Sequence, residues 1–168
     1  EWAAQWKMWD VVGEGAGKEY NVPNSAFFVN AHICEKVLDY AATTPIFYEY
    51  ITIGGGGKMS ASIGNVVYPR NWLEVAPAEA LRLLFLKRIT KTRDFKWEDV
   101  PRIMDELDGM SRIYYGKEEA GEDESHLKRL YEMALTHRPE KKYEERVPYS
   151  IAAMVSQLVN LEDRERLV

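Results

Sequence analysis

Hydrophobic positions change their period part-way along the chain. Up to about residue 70 they fall in short aromatic and β-branched runs punctuated by glycine, and beyond it they recur at helical spacing. In the first stretch Trp2, Trp6 and Trp9 mark one face of a helix over Glu1–Asp10. Val11 and Val12 predict a short buried strand, followed by Gly13, Gly15 and Gly17 ahead of Lys18. That segment reads either as a tight turn at a strand end or as a glycine floor beside a small-molecule pocket. Ser25 is placed to cap a helix running to about Asp39, with Phe28, Val29, Ile33 and Val37 near helical spacing. Thr43, Thr44 and Pro45 break the chain, and Ile46–Ile53 is the strongest strand signal. Gly54–Gly57 then predicts a mobile or sharply bent loop.

The rest reads as helices. Asn71–Val75 is a short one. Pro77 suits a first helical position, and Ala78–Lys87 is apolar nearly all round, which predicts burial. Trp97–Tyr115 is amphipathic through Val100, Ile103, Met104, Leu107, Met110, Ile113 and Tyr114, and should stop at Gly116. Glu118–Glu124 is an acidic loop. Glu124–Leu135 and Tyr149–Asn160 are further helices, separated by the charged, Pro-bearing stretch 136–148. Glu162–Val168 looks like the first turns of another, so the sequence reads as a piece of something longer. The pattern predicts an α/β portion followed by an all-α portion, mostly helical overall.

Composition narrows the classes. Of 168 residues 46% are hydrophobic and 20 are aromatic (5 Trp, 10 Tyr, 5 Phe), which excludes a disordered chain. Cys34 is the single cysteine, so neither an intramolecular disulfide nor a Cys-cluster zinc site is expected, and no metal ligand set is read from the sequence. A lone cysteine fits a reducing, cytoplasmic setting. No apolar run approaches the ~18 residues that span a membrane, and no signal peptide is expected. The net charge of -5 gives no global nucleic-acid footprint. Locally, Arg82–Arg102 holds seven Lys or Arg against three Asp or Glu. It reads as a solvated helix face or as a basic patch for RNA.

Two motifs carry candidate chemistry. Gly13–Lys18 is not a P-loop, because only three residues separate Gly13 from Gly17 and Glu19 follows Lys18 where a hydroxyl would hold magnesium. The second is Lys58, Met59, Ser60, Ala61, Ser62, Ile63, Gly64 and Asn65. A flexible glycine lead-in, a point-charge ammonium, two hydroxyls and a second turn read as a polyphosphate-binding loop, with a solvated Gly/Ser linker as the competing reading. A charge on such a loop can close over a transition state and then release product. His32, His126 and His137 read as helix residues without a special role.

Lys58–Ser62 resembles the Lys-Met-Ser-Lys-Ser signature loop of class I aminoacyl-tRNA synthetases. Glu14–Tyr20, the strand with Tyr48–Tyr50, Gly64–Val67, Asn71–Pro77 and Arg112–Gly116 resemble the archaeal-type class I lysyl-tRNA synthetases. The resemblance covers nearly the whole chain. It implies the C-terminal part of a Rossmann-type catalytic domain over 1–68, connecting stem helices over 69–116, and the start of an α-helical anticodon-binding bundle over 117–168.

What the resemblance implies is a lysine–tRNA ligase. ATP, with Mg2+, activates L-lysine to lysyl-adenylate, and the lysyl group is then transferred to tRNA(Lys). Lys58 would stabilise the phosphoryl-transfer transition state. Ser60 and Ser62 would shape the loop and touch phosphates. Ile51, Ile53 and Met59 would border ATP. Gly15 and Gly17, with Trp2, Trp6 and Tyr20, would border the lysine substrate, an aromatic wall suiting its aliphatic stem and ammonium. For the tryptophans, plain core packing is the competing reading. Arg82, Lys87, Arg88, Lys91 and Arg93 would face the tRNA through salt-dependent phosphate contacts. The family's His-x-Gly-His signature is absent from these residues, its usual Gly-Lys-Asp-His is Gly17, Lys18, Glu19 and Tyr20 here, and its second signature lysine is Ala61. The chain is therefore expected to be inactive alone. The alternative is a synthetase-like module that binds nucleotide or RNA without catalysis. A third reading, an unrelated helical domain, predicts no parallel neighbour for residues 46–53.

Overall fold

The computed structural model describes residues 1–158. The expected Glu162–Val168 helix, and the end of the one expected over Tyr149–Asn160, lie outside the described residues. The described residues form two compact units, one from 1–58 with 88–94 and one from 59–87 with 95–158.

In the first unit, helix α1 (Trp2–Met8) precedes strand β1 (Gly13–Gly17), a single 3-10 turn (Lys18–Tyr20) and helix α2 (Ala26–Lys36). Strand β2 (Thr44–Tyr48) returns parallel to β1, with Gly13 opposite Thr44 and Gly17 opposite Tyr48. A parallel neighbour for residues 46–48 is the feature that the unrelated-helical-domain reading excludes. Strand β3 (Ile51–Ile53) belongs to a different sheet, of order β4-β3-β5, with β4 at Gly57–Lys58 and β5 at Arg93–Phe95. The core holds Ala3, Trp6, Ala16, Phe27 and Cys34.

Four expectations are corrected here. The strand is not Val11–Val12 but the glycine segment itself. Val12 is exposed, and its carbonyl accepts the Thr44 amide at 3.0 Å just ahead of the ladder. Glycine disfavours strands unless another group comes close, and one does: a Cβ on Gly15 would touch the Tyr48 ring at 3.5 Å. Secondly, Ile46–Ile53 is not one strand, and it begins earlier, at Thr44. At Glu49 and Tyr50 the backbone leaves β1 for a new partner: the Glu49 amide donates to the Ile89 carbonyl (2.9 Å) and the Arg93 amide to the Tyr50 carbonyl (3.2 Å). Thirdly, α2 buries Phe27 and Cys34, while Val29, Ile33 and Val37 are exposed. Fourthly, Trp9 lies just past the end of α1 and is exposed, so the tryptophan face reduces to Trp2 and Trp6.

The second unit is helical. Helix α3 (Pro69–Leu73) opens with the Tyr68 amide donating to Asn71 Oδ1 (3.1 Å), and the Trp72 indole donates to the Pro77 carbonyl (2.9 Å). Pro77, expected at the first helical position, is instead the N-cap of α4 (Ala78–Leu86), which starts one residue later. That helix is buried along one face only, through Ala80 and Leu83, and Phe85 is exposed. Helix α5 (Val100–Tyr114) buries Val100, Ile103, Leu107, Met110 and Ile113, as its spacing predicts. It ends at Gly116, whose φ of 68° suits glycine. Helices α6 (Glu124–Ala134) and α7 (Tyr149–Ser156) follow, and α4, α6 and α7 all pack on α5.

Candidate active-site loop and its supports

Lys58 is the second residue of β4, the return strand of a hairpin. Gly54, Gly55 and Gly56 join β3 to β4 with φ of 61°, 97° and 93°, a run of positive values that side-chain-bearing residues rarely adopt. Thr52 stands opposite Lys58 and Ile53 opposite Gly57. The bend is held from outside the hairpin. Asp94, on β5, accepts the Gly55 amide at 2.9 Å, the Gly56 amide at 3.0 Å and the Thr52 hydroxyl at 2.9 Å. The glycine amides that could cradle a phosphate are thus engaged by the chain's own carboxylate.

The Lys58 ammonium lies 4.5 Å from the centroid of the Tyr50 ring, its diagonal neighbour on the same hairpin face. An exposed cation–π contact contributes only about 0.5–1 kcal/mol, so this contact alone would not hold the ammonium back from a polyphosphate. The Tyr50 hydroxyl in turn bonds the Glu19 carboxylate. That bond, with burial and the charges of Glu19 and Glu49, pushes the Tyr50 phenol up. Beside it, buried Glu49 pairs with Lys18, which holds its carboxyl below the usual range with help from the Tyr50 amide and the Thr92 hydroxyl.

The glycine floor continues this acidic patch. A Cβ on Gly17 would collide with the Glu19 carboxylate, so only glycine leaves that side chain its place. The Tyr20 ring packs tilted against Trp2 with centroids 5.3 Å apart, and Trp2 stacks on Trp6 at 6.1 Å. Trp6 is fully buried; its indole N–H is donated to Glu14, and its ring packs tilted on Phe27 with centroids 5.1 Å apart. Trp6 is therefore a core residue, whereas Trp2 and Tyr20 are half-buried at its margin.

The hydroxyl half of the loop is ordered in its own unit. Ser60 and Ser62 share a hydrogen bond of 2.8 Å, and Asn65 accepts the Ser60 amide at 2.7 Å. The Ile63 and Gly64 amides both donate to the Ser60 carbonyl (3.1 Å each), which makes the second turn. Met59 is half-buried, as are Ile51 and Ile53 on the central strand β3.

Residues 1–137 match the family described as tRNA synthetases class I (K). The chain belongs to that family. Among its relatives are proteins named lysine–tRNA ligase. The one from Methanocaldococcus jannaschii is 30% identical over 172 residues, covering 98% of this chain and 32% of its own length. The one from Haloarcula marismortui is 33% identical over 156 residues, 92% of this chain and 28% of its own. The one from Borrelia garinii subsp. bavariensis is 32% identical over 155 residues, 90% and 29%. The chain thus spans about three-tenths of the length of these relatives.

In this class I (K) synthetase chain the basic residues singled out in the sequence have different surroundings. Arg82 donates to the carbonyls of Ala134 (2.9 Å) and Met133 (2.7 Å), at the C-terminal end of α6. Lys87 pairs with Glu106, and the Arg93 guanidinium donates to the Glu49 carbonyl at 3.5 Å. Arg88, at a φ of 50°, and Lys91 are exposed. His137 lies just past α6, with Nδ1 3.8 Å from Glu79. Among the described residues no group of three His, Cys, Asp or Glu is placed to hold a metal, and no helix is long and apolar enough to cross a membrane.

Sequence reading singled out Lys58, Ser60 and Ser62 and the turn at Gly64 and Asn65, but gave no role to Asp94, Glu19 or Glu49. The turn was legible because Asn is suited to bonding its own backbone neighbourhood there. Asp94 carries no local signal, because its partners lie 38 to 42 residues away.

Proposed function

We propose that this chain is the part of a lysine–tRNA ligase that presents the signature lysine to ATP. It would comprise the latter part of a Rossmann-type catalytic domain (1–68), stem helices (69–116) and the start of an anticodon-binding bundle (117–168). What carries the reading is the placement of Lys58, an exposed ammonium at the end of a glycine-hinged hairpin, in a chain of the class I (K) synthetase family. The relatives' names supply the substrate.

In this reading the carboxylate of L-lysine attacks the α-phosphate of ATP, and pyrophosphate leaves. Little covalent chemistry falls to the protein, so positioning and charge stabilisation carry the rate. Lys58 swings from the Tyr50 ring to the phosphates and stabilises the negative charge that develops on them. Ser60 and Ser62 donate to phosphate oxygens from the ordered turn. Ile51, Ile53 and Met59 border the nucleotide. Gly15, Gly17, Trp2 and Tyr20 border the lysine, with Trp6 backing them from the core. Mg2+ arrives with ATP, on phosphate oxygens and water. Glu19 suits a cationic amino-acid substrate through charge attraction, the Glu49 carboxylate being matched by Lys18. Arg88 and Lys91, more than Arg82, Lys87 and Arg93, are open to tRNA phosphates, and a soluble cytoplasmic setting accords with those partners.

The test uses the complete ligase carrying this segment. Lys58→Ala is expected to slow lysine-dependent ATP–pyrophosphate exchange by more than about tenfold, an oxyanion-type loss, while tRNA binding stays nearly intact. An unchanged exchange rate refutes the role of Lys58. A complete protein that binds tRNA or nucleotide but never catalyses exchange is a binding module instead.

A further inference from the structure

The Lys58 hairpin adjoins β5 in the sheet, and its glycine loop is bonded there by the Asp94 side chain. Its loop consists of three consecutive glycines, all at positive φ. Such a loop has many alternative conformations, and its own sequence selects none of them. Selection comes from Asp94. One carboxylate oxygen accepts the Gly56 amide (3.0 Å) and the Thr52 hydroxyl (2.9 Å), and the other accepts the Gly55 amide (2.9 Å). Thr52 is buried, stands opposite Lys58 in the ladder, and also donates to the Arg93 carbonyl at 3.3 Å. The bonds therefore link the tip of the loop, the residue facing Lys58 and the neighbouring strand. Hydrogen bonds to an ionised acceptor are shorter and stronger than neutral ones.

We infer that Asp94 is a positioning residue for Lys58: its carboxylate fills the amide nest of the glycine loop and fixes the bend from which the ammonium is delivered. The phosphate contact of this hairpin is then the Lys58 ammonium and not the Gly55 and Gly56 amides, which Asp94 holds. Asp94 does not touch substrate. It acts by confining the swing of Lys58, and a misplacement of even 1 Å can slow a reaction about 100-fold. The kinetic part of this inference rests on the ligase reading above.

Two measurements test it. In the 168-residue chain, the amide resonances of Gly55 and Gly56 are followed by NMR hydrogen exchange. Asp94→Ala is expected to speed their exchange by about tenfold or more, with the core amides of α2 unchanged. Asp94→Asn, which keeps one acceptor oxygen, should fall between. In the complete ligase, Asp94→Ala is expected to lower kcat for pyrophosphate exchange by about 10- to 100-fold, with KM for lysine unchanged. The double variant Lys58→Ala with Asp94→Ala should be within about twofold of Lys58→Ala alone, because both act through one ammonium. Unchanged glycine exchange overturns the latch. Faster glycine exchange with an unchanged kcat, or with losses that multiply in the double variant, overturns the positioning role. A wild-type protein without lysine-dependent exchange overturns the ligase reading and the kinetic role with it, while the glycine amides still decide the latch.

Discussion

Arg82 offers a clean separation of a structural cation from a nucleic-acid contact. Its guanidinium lies at the C-terminal end of α6, where the last carbonyls of a helix have no intrahelical partner and the helix dipole favours a positive charge. Hydrogen bonds from a charged donor contribute about 1.5–3 kcal/mol each when shielded. Arg82 is exposed, so solvent screening lowers this to about 1 kcal/mol for each of its two bonds. Arg82→Ala should then cost about 2 kcal/mol. For a chain of this length the melting temperature shifts by about 2–4 °C per kcal/mol, so a fall of about 4–8 °C is expected. Circular dichroism at a helix-sensitive wavelength would follow it, since the unit that contains Arg82 is helical. Arg82→Lys keeps the charge but not the planar fork that reaches two carbonyls, and should recover less than half of the loss. If Arg82→Ala melts within a degree of wild type, the bracket is worth nothing and the argument fails.

Further outcomes rest on the same geometry. The Lys18 bond holds Glu49 below its usual value of 4.5, so the pair stabilises the fold above that pH and the contribution is lost as pH falls through the lowered value. Glu49→Gln should therefore melt lower than wild type at pH 7, and the two curves should converge as pH falls through the lowered value; a gap that stays constant as pH falls would refute the linkage. Burial, with the charge of Glu35 behind it, pushes the Cys34 thiol up, and no part of the residue is accessible. Thiol reagents should label it only after unfolding, and prompt labelling of the native chain would show the α1–α2 packing to be wrong. Leu83 is fully buried on α4, so Leu83→Ala should cost about 2–5 kcal/mol in chemical denaturation; a loss under about 1 kcal/mol would mean that the helix does not pack there.

The helical half was legible because its signal is local. Of the seven apolar positions read on α5, five are buried and two, Met104 and Tyr114, are half-buried. The strands were less legible because their partners decide them. Gly13–Gly17 has almost no β propensity, yet β2 claims it as a parallel neighbour and Tyr48 packs where a side chain on Gly15 would stand. The Ile46–Ile53 run has a uniform composition, yet it switches sheets at Glu49, where Ile89 and Arg93 supply new backbone bonds. On α2 the eye was drawn to Val29 and Ile33, but the helix turns Phe27 and Cys34 to the core because Trp6 and Phe47 offer aromatic contact there. The lysine and serines of the loop were visible through their resemblance. The carboxylate that shapes it was not, since nothing near Asp94 in the sequence points back to residue 55.

Unit one is discontinuous: its last piece, 88–94, is made only after the first helices of unit two. An emerging polypeptide could therefore close α1, α2 and the β1–β2 ladder early, but the Lys58 hairpin must wait for translation to pass Asp94. A gene shortened to stop anywhere between residues 59 and 93 would encode Lys58 and lack the Asp94 carboxylate that its loop bonds. Any dissection of this protein into independently produced parts should be cut after β5 rather than after the loop.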